Sequence, residues 1–193
     1  MSAPTLKPMS VDEYLRTEEA SPVKREHAGG FTYQLHGSTE ADAGTTAGHN
    51  LIGLNMVVAL HQAAWLADCQ LYAFNFRLHI SQTQSFYYPD LLLTHAGTRP
   101  GPQDTYATDP CLLVEIVSEE SEERDRLAKY AAYTQIACLH TYLIVKQAER
   151  RVYAYQRHGG EWRLEELASS GSVNLPCLSH TLTLDDIYAD FSI

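Results

Sequence analysis

Seven consecutive residues, Cys111-Leu-Leu-Val-Glu-Ile-Val117, restrict the possible folds of this chain more than any other segment. A nearly continuous apolar run of this length, rich in branched side chains, has no polar face to give to water, so it predicts a strand covered on both sides. Such a strand belongs inside a sheet with further layers above and below it. It also carries one carboxylate, Glu115, into surroundings where an ionised group is costly unless a cation or hydrogen-bond donors meet it.

The flanking sequence supplies those layers. Ser10-Val-Asp-Glu13 has capping-box spacing and predicts a short helix to about Glu18. Gly29-Gly30 followed by the alternating Phe31-Thr-Tyr-Gln-Leu35 predicts a strand leaving a tight turn, and the small, polar residues between Gly37 and Gly48 a mobile loop. Over residues 48–67, Leu51, Leu54, Val58, Ala59 and Trp65 recur at helical spacing and predict the main packing helix, with those side chains on its buried face. Residues 71–80 and 88–94 read as further strands. Acids after Ser118 and apolar residues from Leu127 predict a helix ending near Ala137. Residues 141–145, 151–155 and 162–167 alternate as strands, the last two joined through His158-Gly159-Gly160, and a last helix is expected over 184–188. The expected fold is α/β (α+β), a central mixed sheet flanked by helices, in a single domain over residues 1–193.

Fourteen Lys and Arg against 24 Asp and Glu give a net charge of −10, which argues against a general nucleic-acid-coating protein. No apolar run reaches the ~18 residues of a membrane span and the N-terminal stretch has no signal-peptide pattern, so a cytoplasmic protein is expected. Cys69, Cys111, Cys138 and Cys177 are scattered without CxxC pairs, and reduced, mostly buried thiols are expected.

Three residues could carry chemistry. Asp90 follows Pro89 at the head of Leu91-Leu-Leu93, and with Glu115 on a neighbouring strand it could converge on one divalent cation. Lys129 shares a helical face with Tyr133 and Ile136, where it could orient a water or stabilise developing phosphorane charge. Each also has a plain reading: a turn aspartate, a strand-end glutamate on a backbone amide, and a surface lysine paired with Asp125. Among nine histidines no HExxH or HxH pattern occurs, and His49 stands out only by opening the long helix, where it could face the cleft.

Tyr88-Pro-Asp-Leu-Leu-Leu-Thr94, Pro110-Cys-Leu-Leu-Val-Glu-Ile-Val-Ser118 and Arg124-Asp-Arg-Leu-Ala-Lys-Tyr-Ala-Ala-Tyr133 together resemble the Uma-two family of restriction-endonuclease-like proteins, within the PD-(D/E)XK nuclease superfamily. The likeness extends to Arg25-Glu-His-Ala-Gly-Gly-Phe31, to His49, and to the closing strands at Thr141 and Arg151. It implies a restriction-endonuclease-like core in which Asp90 and Glu115 bind Mg²⁺ or Mn²⁺, with Glu26 as a further acid. The superfamily lysine two residues after the second acid is Val117 here, and its role carries onto Lys129. Lys146 stands where the family usually has an acid, and Lys24-Arg25 replaces an aromatic approach to Glu26.

The function implied is a metal-dependent endonuclease acting on DNA. A homodimer is expected, with an aromatic sheet edge pairing across a two-fold axis. Two other readings of the same residues stay open. One is a nuclease-fold binding or regulatory protein that does not cut; the other is a metal-dependent hydrolase of a small phosphorylated substrate. The acids between Glu115 and Asp125 would repel phosphate and favour either of them.

Overall fold

The computed structural model describes residues 7–35, 46–118 and 125–190. The loop expected between Gly37 and Gly48 falls mostly outside them, as does the start of the helix expected at Ser118.

Among the described residues, two main sheets, a separate two-stranded sheet and three principal helical segments organise the fold. Helix α1 (Val11–Glu18) is capped by the Ser10 hydroxyl, which accepts from the Glu13 amide at 3.2 Å. Strands β1 (Arg25–Ala28) and β2 (Phe31–Gln34) form a hairpin whose turn residues, Gly29 and Gly30, have φ of +59° and +79°. Helix α2 (Ala47–Leu66) follows, capped by Thr46. Then come β3 (Cys69–Ala73), β4 (Arg77–Ile80), β5 (Ser85–Tyr87), β6 (Leu91–His95), β7 (Tyr106–Ala107) and β8 (Pro110–Val117). A π-helical turn (Asp125–Lys129) runs into α3 (Tyr130–Tyr133). Strands β9 (Thr141–Lys146), β10 (Arg151–His158), β11 (Glu161–Ala168), β12 (Ser172–Leu175) and β13 (His180–Thr183), then α4 (Leu184–Ile187), complete the fold.

The larger sheet has the order β11-β10-β9-β8-β6-β3; β8 and β9 are parallel and every other pair is antiparallel. The smaller sheet has the order β2-β1-β5-β4-β7. All eight residues of β8 are buried, as its apolar run requires. Leu112, Leu113, Val114, Ile116 and Val117 each contribute ~1.5–3 kcal/mol by burial, enough together to carry Glu115 inside with them. Side-chain alternation sends Leu112, Val114 and Ile116 toward α2, β12, β13 and α4, while Leu113 and Val117 pack with Tyr133, Ile136, Leu78 and Tyr87. Glu115 shares that second face.

Three expectations need correction. Residues 71–80 do not form one strand: Phe74 and Asn75 take φ of +54° and +75°, and this left-handed turn ends β3 and sends β4 into the other sheet. Helix α2 buries Ile52, Met56, Leu60 and Ala64 instead of Leu51, Leu54, Val58 and Trp65, which are exposed. It is apolar on two opposite faces, so periodicity alone could not select the buried one. Helix α3 stops at Tyr133, short of Ala137, where the Thr134 hydroxyl bonds back to the Tyr130 carbonyl at 2.9 Å and the chain tightens into three-residue turns. The β12–β13 hairpin lies where the sequence predicts no element. No helix among the described residues is long and apolar enough to cross a membrane.

Candidate active site

The site lies where the second face of β8 meets β1 and the helical segment after β8. The Lys129 ammonium stands 2.9 Å from Glu115 Oε2 and 3.2 Å from Glu26 Oε1, with all three side chains 3–5% exposed. Burial of this kind excludes the surface pairing of Lys129 as its main role. Glu115 Oε1 accepts from the Tyr133 hydroxyl at 2.7 Å, one helical turn beyond Lys129. Burial, then the charge of Glu115, pushes the Tyr133 phenol well above its ordinary pKa, so it remains a hydrogen-bond donor. A π-turn at this point widens the helix just where Lys129 enters the cluster.

Glu26 reaches the cluster from β1 and also accepts from the Tyr88 amide at 3.3 Å, which ties the hairpin to the segment leading into Asp90. Asp90 immediately precedes β6, beside β8. Its Oδ2 accepts from the Ile116 amide at 2.7 Å, the residue after Glu115, and its Oδ1 lies 3.0 Å from His49 Nε2. His49 comes from the first turn of α2, held there by the Thr46 cap. His49 Nδ1 is buried and has no hydrogen-bond partner among the described residues. The structure therefore gathers Glu26 and Glu115 on the Lys129 ammonium and sets Asp90 and His49 against the adjoining backbone.

A supporting tier lies behind Glu26. Glu18 accepts from the Arg25 amide and guanidinium, both at 2.9 Å, and from the Tyr88 hydroxyl at 3.0 Å. This explains Arg25 at a position expected to be aromatic: it closes α1 onto β1. Lys24 pairs with Asn75, and Lys146, at the end of β9, pairs with Glu149 at 2.7 Å. Tyr133, Glu18 and Tyr88 are site residues that the sequence does not single out for a role. For Tyr133 a signal existed in its spacing of four from Lys129; the others depend on contacts between distant segments.

Three carboxylic side chains stand with one lysine in the cleft, beside the imidazole of His49. Hard oxygen donors of this kind suit Mg²⁺ or Mn²⁺ better than soft metals.

Among curated proteins, the chain is 27% identical over 188 residues to the uncharacterized protein slr1290 of Synechocystis sp. (strain ATCC 27184 / PCC 6803 / Kazusa), covering 97% of this chain and 94% of that one. It is 28% identical over 169 residues to the uncharacterized protein sll1609 of the same organism, covering 86% and 92%. Its fold is similar to the crystal structure of "a putative nuclease belonging to DUF820" from Anabaena variabilis ATCC 29413, with a TM-score of 0.75 at 15% identity over 94% of this chain and 98% of that chain. A family model described as "Putative restriction endonuclease" matches residues 11–185, and the chain, with its nuclease-like fold and buried acid–lysine cluster, belongs to this Uma2 family.

Proposed function

We propose that this protein is a divalent-metal-dependent endonuclease that hydrolyses DNA phosphodiester bonds. The observation that carries the reading is the buried cluster in which Lys129 bridges Glu26 and Glu115 beside Asp90. Asp90 and Glu115 would hold Mg²⁺ or Mn²⁺, with Glu26 completing the shell. When bound, the ion supplies an activated water and neutralises charge on the scissile phosphate. Lys129 adds a positive charge where the phosphorane charge develops. Tyr133 and the Tyr88 amide fix the Glu115 and Glu26 carboxylates, and His49 fixes Asp90, so the reacting groups need little reorganisation. Four free cysteines suit a reducing cytoplasm.

A two-strand cut calls for two sites, and helix α2 offers a means of pairing them. Its outer face carries Leu51, Leu54, Val58, His61 and Trp65 at alternating spacings of three and four, with Leu54, Val58 and Trp65 51%, 72% and 74% exposed. The stripe matches itself across a two-fold axis at Val58, which would set Leu51 of one copy beside Trp65 of the other. We assign the homodimer to this face. The aromatic edge at β2 is less open, since Pro8 bridges Phe31 there.

The test is incubation of purified protein with plasmid, single-stranded DNA and RNA in Mg²⁺, Mn²⁺ or EDTA. Metal-dependent nicking of DNA, lost in Glu115→Gln, is expected. No metal-dependent cleavage of any of the three would leave the fold in a binding role.

A further inference from the structure

A second constellation sits on the opposite side of the larger sheet from Glu115. Cys69 and His95 are direct cross-strand partners in the β3–β6 register, and Cys69 Sγ lies 3.4 Å from His95 Nδ1. Cys111, the second residue of β8, joins them, and the three ligand atoms all lie within 4.8 Å of one another. A 3₁₀ turn (Pro176–Leu178) brings up Cys177, whose carbonyl accepts from Cys69 Sγ at 3.7 Å. Three strands thus deliver two sulfurs and one imidazole to a single point, and the turn at Cys177 lies beside them.

From this geometry we infer that Cys69, His95 and Cys111 form a site for a thiophilic divalent ion such as Zn²⁺, separate from the acid cluster, with the adjoining Cys177 thiol turning in as the fourth donor. Tetrahedral zinc with bonds of ~2.3 Å to sulfur and ~2.05 Å to nitrogen sets those atoms about 3.6 Å apart, close to the Cys69–His95 spacing. The donor set is soft, whereas Asp90, Glu115 and Glu26 offer hard oxygens, so the two places select different ions. Binding replaces up to three thiol protons with the ion and releases them to solvent, so affinity should rise with pH. The ion would fasten the turn at Cys177 to β3, β6 and β8, and through it the β12–β13 hairpin that covers α2.

Titration of the reduced, chelator-stripped full-length protein with Co²⁺ reads the site directly. One equivalent should produce sulfur-to-cobalt charge-transfer absorption and the intense visible bands of a tetrahedral ion. The Glu115→Gln variant should titrate identically, whereas Cys69→Ser and Cys177→Ser should each weaken binding ~10-fold or more. Should those variants fold poorly, alkylation of the wild type followed by mass measurement replaces them: Zn²⁺ should protect Cys69, Cys111 and Cys177, with Cys138 still labelled. A titration with no charge-transfer band, a band unchanged in both serine variants, or equal labelling with and without Zn²⁺ would each overturn the site. Recovery of a stable Cys111–Cys177 disulfide from protein kept under reducing conditions would do the same.

Discussion

Lys129 and Glu115 lie 2.9 Å apart at Nζ and Oε2, although the sequence separates them by the end of one strand and the start of a helix. Each solves the other's burial. Glu115 enters the interior because its apolar neighbours on β8 take it there, and Lys129 because Tyr133, one turn further along its helix, packs at the centre of the same face. An ammonium shared by two carboxylates spreads one positive charge over two acids. The cluster is therefore rich in negative charge while remaining folded, a state suited to accepting a further cation.

The first prediction removes that ammonium. Lys129→Met should destabilise the fold by ~3–5 kcal/mol, because Glu26 and Glu115 would stay buried without their partner. Adding Glu26→Gln to Lys129→Met should recover part of that loss, since one uncompensated charge disappears. Urea unfolding of the four members of the cycle measures it. Cleavage by Lys129→Met should fall ~10²-fold or more, as expected for one well-placed electrostatic contact. Additive stability effects in the cycle would show that the Lys129–Glu26 contact contributes nothing.

Much of this arrangement was legible in the sequence because it follows from local rules. The apolar run at 111–117 fixed a doubly covered strand, and the spacing of Lys129 and Tyr133 fixed a shared helical face. Gly159-Gly160 marked a hairpin, which closes with φ of +58° and +94°. What stayed hidden depends on long-range register. The turn at Phe74-Asn75 uses a bulky residue at positive φ, which no local preference favours, and α2 presents two apolar faces whose assignment is decided only by the sheet beneath. The convergence of Cys69, His95 and Cys111 likewise has no spacing signal, because β3, β6 and β8 bring it about.

His79 gives a pH-dependent prediction. On β4 it stacks on Phe86 with ring centroids 4.4 Å apart, meets Tyr106 edge-on, and leaves Nε2 buried without a hydrogen-bond partner among the described residues. Burial lowers its pKa from 6.5, so the folded protein binds its proton more weakly than the unfolded chain. Unfolding then takes up a proton below about 6.5, and stability should decline from there as pH falls toward the folded value. The His79→Phe variant should show a shallower decline of urea midpoint between pH 6.5 and 5 than wild type. Parallel curves would assign the acid sensitivity elsewhere.

The α2 stripe can be tested by charge. Val58→Glu places a carboxylate at the proposed two-fold axis, facing its own copy, and should convert a dimer to monomer in sedimentation or light scattering. Val58 is already exposed in the single chain, so the thermal midpoint of the variant at high dilution should match that of wild-type monomer. A wild type that is monomeric at tens of micromolar would rule out α2 as a self-association surface.

The last prediction concerns the ion at the acid cluster. A cation that binds only the folded chain stabilises it by mass action, by ~2.7 kcal/mol at a hundred times its dissociation constant. Mn²⁺ should therefore raise the melting temperature in proportion to the logarithm of its concentration, in wild type and in Cys69→Ser alike, since Mn²⁺ prefers oxygen to sulfur donors. Glu115→Gln keeps the shape of the side chain and its capacity to accept from Tyr133, while removing the charge that would bind the ion. Most of the Mn²⁺ shift should vanish in that variant. Asp90→Asn should reduce the shift as well, although its amide can still accept from Ile116 through one oxygen. A shift that survives in both variants would move the ion away from Asp90 and Glu115, and with it the basis for metal-assisted hydrolysis at this site.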